Sequence, residues 1–232
     1  MHRRGWVWVA IFSAINAPAT AGSLYLDGVG LGGGAVSMNV ESFQKQKFRA
    51  TVGQEHDFSC GSAALATLLT YNYKMPVSEH DVFQSMFESG DKKVIAESGF
   101  SLLDIKNYVT RNGLRSEGFR APLAKLAAVR LPAIVLLNVQ GYRHFVVLEG
   151  IHDGWVLLSD PANGMRTEQI GVFENEWSGV FFLILSDVEK AQEGFNSTQK
   201  WATAPRPPWE LTRYVIDLAT LAQPAMLNLG RF

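Results

Sequence analysis

Cys60 is the only cysteine in a chain of 232 residues. A thiol becomes a strong nucleophile when a nearby base takes its proton. Acyl transfer then needs a third group to orient the base and a donor to hold the developing oxyanion. His144 is the candidate base and Asp160 the candidate orienter. Each residue also has a plainer role open to it. Cys60 could be a small buried hydrophobe, His144 a hydrogen-bonded core histidine beside Phe145, and Asp160 a turn former before Pro161. His56 lies close to Cys60 in sequence but reads as a solvated loop residue, while His80 falls in an amphipathic helix and His152 in a turn. No His/Cys/Asp spacing suggests a metal site, and no cofactor is called for.

The elements that would carry these groups follow from the pattern around them. From Cys60 to Tyr73 the residues are good helix formers, and the apolar positions run almost all round, as in a buried helix. Ser59 reads as its N-cap, so Cys60 falls in the first turn, where the helix dipole and free N–H groups favour an anion. Gly61 reads as room for substrate to approach the neighbouring backbone. Ser78 with Asp81 and Ser101 with Asp104 mark two further helix starts, and the second helix should stop near Asn112-Gly113. A shorter helix is expected over Leu123 to Val129.

The period then changes to that of strands. Ala133 to Val139, His144 to Ile151, Trp155 to Ser159 and Val180 to Leu185 read as strands, with turns at Gln140-Gly141 and His152-Asp153-Gly154. A three-residue loop, His152 to Gly154, pairs Ile151 with Trp155 and sets Asp160 opposite Val146. Asp160 then shares a sheet face with His144 as a diagonal neighbour, ~7–8 Å away at the backbone. A two-residue loop pairing His152 with Trp155 places the two on opposite faces. The catalytic pairing therefore predicts an odd-length loop. Helices first and strands afterwards indicate an α+β domain with a mostly antiparallel sheet.

Composition bounds the rest. The chain is 47% hydrophobic and 19% charged with a net charge of −1, enough apolar material for a core and no basis for a nucleic-acid partner. Residues 1–21 read as a secretory signal peptide: His2, Arg3 and Arg4, an apolar run from Trp6 to Ile15, and Ala19-Thr20-Ala21 before a mature start at Gly22. A retained amino-terminal anchor is the alternative reading. The expected location is the periplasm or beyond, where thiols are oxidised and an unpaired cysteine is retained for its reactivity. Residues 22–47 form a glycine-rich extension with a strand at Val36 to Val40, 48–186 the main domain, 187–208 a polar linker, and 209–232 an amphipathic tail helix.

Gln54-x5-Cys60-Gly61-x-Ala63-Ala64-Leu65-Ala66, then Gly141-Tyr142-x-His144-Phe145-Val146-Val147, then Asp160-Pro161-Ala162-x-Gly164 together resemble the peptidase family that trims double-glycine leaders from bacteriocin precursors. The resemblance runs from about Phe48 to Leu185. It implies a papain-like cysteine peptidase fold, with Cys60 as nucleophile, His144 as general base and then acid, Asp160 as orienter and Gln54 as oxyanion donor. By itself Gln54 could equally be an ordinary loop amide. The chain differs from many leader-trimming members at Ser59, where they carry an acidic residue, and it lacks the G-x-x-x-x-G-K-[ST] loop of the exporters they belong to. It more closely resembles stand-alone exported members, including those of bacterial functional-amyloid export operons.

The expected function is thus an exported cysteine peptidase cutting a peptide bond at a glycine-rich or double-glycine site. Its partners would be an exported peptide or protein substrate and an outer-membrane or export-system component. Two alternatives stay open: a non-catalytic docking module, and another papain-fold amidase or acyltransferase. Leu31-Gly32-Gly33-Gly34-Ala35 itself looks like such a site, and self-trimming there is an expectation that a flexible spacer explains equally well.

Overall fold

The computed structural model describes residues 22–26, 36–40 and 43–204. The signal-peptide reading (1–21), the glycine run Gly28 to Gly34 and the tail helix (209–232) lie outside the described residues. The chain divides into two units, 1–42 and 43–232. In the first, strands β1 (Gly22–Leu26) and β2 (Val36–Val40) pair antiparallel.

The second unit opens with α1 (Phe43–Lys47) and reaches α2 (Cys60–Thr67), all eight residues of which are buried. Ala63, Ala64, Leu65 and Ala66, all without exposed surface, suit a helix enclosed by neighbours. The helix runs into a π-helical turn, Leu68–Asn72, rather than continuing as α-helix to Tyr73. Around it lie α3 (Glu79–Ser89), α4 (Lys92–Ser98) and α5 (Leu102–Arg111). The expected caps form. Ser78 accepts from Asp81 N, Ser101 and Asp104 close a capping box, and Gly113 takes a positive φ beyond the end of α5. Ser59 occupies the N-cap position of α2, but its hydroxyl makes no cap bond and is spent on His56 instead.

Next come β3 (Ser116–Arg120), α6 (Leu123–Val129), β4 (Ala133–Val139), β5 (Tyr142–His152), β6 (Trp155–Asp160), β7 (Gly164–Gln169), α7 (Ile170–Glu176) and β8 (Trp177–Ile184). The six strands β3 to β8 form one antiparallel sheet in the order β3-β8-β4-β5-β6-β7. The α+β expectation holds, with helices packed on an antiparallel sheet. Strands β3 and β7 and helices α4 and α7 had no reading in the sequence. Leu65, Leu68, Ile134, Leu137 and Phe182 are fully enclosed, and each such side chain contributes about 1.5–3 kcal/mol relative to exposure.

The polar stretch read as a linker is folded over much of its length. It contains α8 (Val188–Gly194) and α9 (Thr198–Thr203), with Ala191 and Phe195 buried in the core. Composition misled here because a short helix needs only one or two apolar anchors to dock. No helix among the described residues is long and apolar enough to cross a membrane.

The β5–β6 hairpin corrects the expected loop. It turns through two residues, Asp153 and Gly154, both at positive φ, and pairs His152 with Trp155. A β-bulge between Leu148 and Gly150 then shifts the register, so that Val147 faces Ser159. The bulge supplies the odd residue that the loop does not, and Asp160 still falls on the face of His144.

Candidate active site

Three segments meet at Cys60. The thiol starts α2 and is 5% exposed. His144 projects from β5 and Asp160 ends β6, both buried. His144 Nε2 lies 2.7 Å from Asp160 Oδ1, while Nδ1 is buried and bonded to nothing else. Burial acts to lower the pKa of His144, but the hydrogen bond and charge of Asp160, together with Cys60, outweigh it and lift the imidazole from 6.5 to about 9. His144 therefore has one nitrogen committed to the carboxylate and the other available to Cys60.

Asp160 is held on every side. Oδ1 accepts from His144 and from the N–H groups of Ala162 (2.9 Å) and Asn163 (3.2 Å). Oδ2 accepts from Asn163 Nδ2 (3.1 Å) and Arg166 Nε (3.0 Å). Burial acts to raise its pKa, yet His144, Asn163 and Arg166 together hold the carboxyl well below the usual carboxylate range. Asp160 is an anion that cannot readily turn away from His144. Arg166 went unnoticed in the sequence. Its only signal there is an arginine shortly after the Asp160-Pro161 turn, on a strand whose register was not legible.

The loop before Cys60 is tied to both of the other segments. Gln54 N donates to Pro161 O (3.0 Å), next to Asp160. Tyr142, whose ring stacks on His144 with centroids 5.9 Å apart, donates its hydroxyl to Asp57 O (2.8 Å). Gln54 Nε2 gives one hydrogen to His56 O (3.1 Å), which leaves its second hydrogen free to donate. Ser62 follows Cys60 into α2, and its hydroxyl bonds to Glu79 Oε1 (2.7 Å), which ties that helix to the start of α3.

Gly61 serves a purpose other than the one read from the sequence. A Cβ there would stand 3.0 Å from Phe100 Cβ and 3.4 Å from the Phe145 ring. Its lack of a side chain lets α2 approach β5 and the residue just before the N-cap of α5 closely; the space beside it is filled by protein. His56 is exposed, as expected, but its ring stacks on Phe58 (5.6 Å) and leans on Phe83 (5.2 Å). No cluster of three or more potential metal ligands occurs among the described residues.

A profile of the Peptidase C39 family matches residues 49–189. A protein of Pseudomonas aeruginosa named "probable functional amyloid protease FapD" is 38% identical over 176 residues, 76% of this chain and 75% of that one. A protein of the same name from Pseudomonas fluorescens is 33% identical over 193 residues, 83% of this chain and 82% of that one. Among solved structures, a double glycine motif protease from an AMS/PCAT transporter, in complex with the leader peptide, is similar. It has 27% identity and a TM-score of 0.50, covering 58% of this chain and 89% of that one. The peptidase domain of Streptococcus ComA shares the fold at 18% identity and a TM-score of 0.50, covering 58% of this chain and 96% of that one.

Proposed function

Because the chain belongs to the Peptidase C39 family and is a cysteine peptidase, we propose that it cuts exported proteins at a glycine-rich or double-glycine segment, using Cys60, His144, Asp160 and Gln54. The observation that carries this reading is the setting of His144: Nε2 lies 2.7 Å from Asp160, Nδ1 is buried with no hydrogen bond, and Cys60 is near enough to raise the ring's pKa.

His144 Nδ1 takes the thiol proton, and the imidazolium is stabilised by the Asp160 carboxylate. The Cys60 sulfur adds to the scissile carbonyl carbon, and the resulting oxyanion accepts the spare Gln54 amide hydrogen. Collapse expels the amine, which takes its proton from His144, and leaves a thioester on Cys60. Water, deprotonated by His144, adds to the thioester and releases the acid and the thiol. Arg166 and Asn163 keep Asp160 ionised throughout.

The relatives named as functional amyloid proteases support a substrate within an amyloid export system, and the solved complex with a leader peptide supports a flexible double-glycine segment. The basic and apolar amino-terminal residues support a periplasmic or secreted location. The test uses a panel of peptides from exported proteins, each with a Gly-Gly segment or its Ala-Ala counterpart, and maps cuts by mass spectrometry. Cleavage of the Gly-Gly set alone, with a thioester on Cys60 and no cutting by Cys60→Ala, is expected. Equal cutting of both sets would refute the glycine specificity, and cutting by Cys60→Ala would refute the chemistry.

A further inference from the structure

The bulge in β5 decides which face of the sheet Asp160 occupies. From the turn upward, His152 pairs with Trp155, Ile151 with Val156 and Gly150 with Leu157. Continued without interruption, that register would set Asp160 opposite Val147, on the face away from His144. The extra residue, Glu149, shifts the pairing by one, and Asp160 comes opposite Val146. One inserted residue therefore brings base and orienter together.

That residue is a buried carboxylate, and such a group is costly unless paired and hydrogen-bonded. Glu149 is fully enclosed and is well supplied. Oε1 accepts from Asn72 Nδ2 (3.2 Å), at the end of the π-helical turn, and from Ser159 Oγ (3.1 Å), the neighbour of Asp160. Oε2 accepts from Lys200 Nζ (2.6 Å) on α9, and the same ammonium donates to Asn72 Oδ1 (2.8 Å). The backbone of the bulge is held from the same direction. Asn196 N donates to Glu149 O (2.9 Å), Ile151 N donates to Asn196 Oδ1 (2.7 Å), and Asn196 Nδ2 donates to Ile151 O (3.0 Å). Gly150 allows this approach, since a Cβ there would run into Asn196. Lys200 is the basic member of the pair that offsets the buried charge, with 12% of its side chain exposed. Asn196 and Lys200 both lie beyond the stretch matched by the family, 49–189.

We propose that Asn196 and Lys200 are positioning residues: the segment around α9 clasps the Glu149 bulge and so holds Asp160 in the register that reaches His144. This rests on the reading of Cys60, His144 and Asp160 as the reacting groups. Without Lys200 the Glu149 carboxylate has no counter-charge and is driven toward water. The bulge then slips, and His144 loses its partner while staying buried.

The test follows the ring protons of His144 by NMR across pH, and the rate of Cys60 alkylation by iodoacetamide at pH 6, in the full chain. Lys200→Met is expected to lower the His144 titration by at least one pH unit and slow alkylation at least tenfold. Lys200→Arg, which keeps the charge, should return both to within about twofold of wild type. If Lys200→Met fails to fold, Asn196→Ala and the double variant Glu149→Gln/Lys200→Met carry the same readouts without an unpaired buried charge. A variant that melts earlier but titrates and alkylates as wild type would overturn the clasp, because a merely structural role moves only the melting point. A wild-type His144 that titrates near 6.5 would instead overturn the His144–Asp160 reading itself, whatever the clasp variants do.

Discussion

Replacing Asp160 by asparagine preserves the size of the side chain and removes its charge. The amide oxygen can take the place of Oδ1, where it still accepts from His144, Ala162 and Asn163. Its NH2 group then faces Arg166 Nε and Asn163 Nδ2, two donors, so Arg166 must swing away. The electrostatic consequence is larger. His144 rises from 6.5 to about 9 even though burial pushes the other way, a net preference of about 3 kcal/mol for the imidazolium. Asp160 supplies the largest contribution that raises it and Cys60 the next, so its removal should bring the ring down, to about 6.5 if the shift is lost whole. At pH 8 the protonated fraction then falls from about nine-tenths to about one-thirtieth, roughly a thirtyfold loss of the form that protonates the leaving amine. At pH 6 the two proteins should differ by less than about a factor of two in that fraction. The assay is the pH profile of amide hydrolysis on a fluorogenic Gly-Gly peptide, read beside the His144 ring titration. A loss of equal size at pH 6 and pH 8 would refute the reasoning, as would an alkaline limb that stays near 9.

The same pair makes stability depend on pH. His144 has a raised folded value, so its contribution is fully present below about 6.5 and is lost as the pH climbs through about 9. The denaturation midpoint of wild type should therefore fall toward that of Asp160→Asn between pH 6.5 and 10, and a constant gap across that range would contradict the ion pair. Gly164 follows the Asp160 turn at a φ of +77, and a Cβ there would stand 2.6 Å from Lys47 Cβ. Gly164→Ala should cost about 1–3 kcal/mol in urea unfolding through strain and displacement of α1, and a neutral result would show that this turn is free to relax.

The sequence was most legible where one local rule decides the outcome. Ser101 with Asp104 closes its box because four consecutive residues suffice to make it, and Ala133 to Val139 forms the strand that an apolar run implies. Cys60 falls at a helix start as expected, but Ser59 does not cap that helix, since its hydroxyl finds nearer partners in the preceding turn. The hairpin holds the most instructive difference. Asp153-Gly154 is a strong signal for a two-residue turn, and the demand that Asp160 meet His144 argued for three. Both constraints are met because Glu149 bulges. A charged residue followed by glycine inside an apolar strand is the sign of that bulge, visible once sought. Arg166, Asn196 and Lys200 were out of reach. Asn196 and Lys200 matter through contacts with segments far apart in the chain, which no local pattern encodes, and Arg166, six residues from Asp160, depends on a strand register that was not legible.

The bulge also implies a rule for insertions and deletions in this hairpin. Straightening the bulge with Glu149 kept in the ladder would turn Asp160 to the wrong side of the sheet, whereas deleting Glu149 leaves Val147 facing Ser159 in an unbulged hairpin. Lengthening the Asp153-Gly154 turn by one residue, with His152 still paired to Trp155 and the bulge kept, likewise leaves Asp160 on the side of His144. Homologous hairpins can therefore shorten at the bulge or lengthen at the crest without separating the two residues, provided the pairs between them keep their register. A chain that took the unbulged route would have no buried carboxylate for Lys200 to meet, and its carboxy-terminal segment would be free to change or disappear.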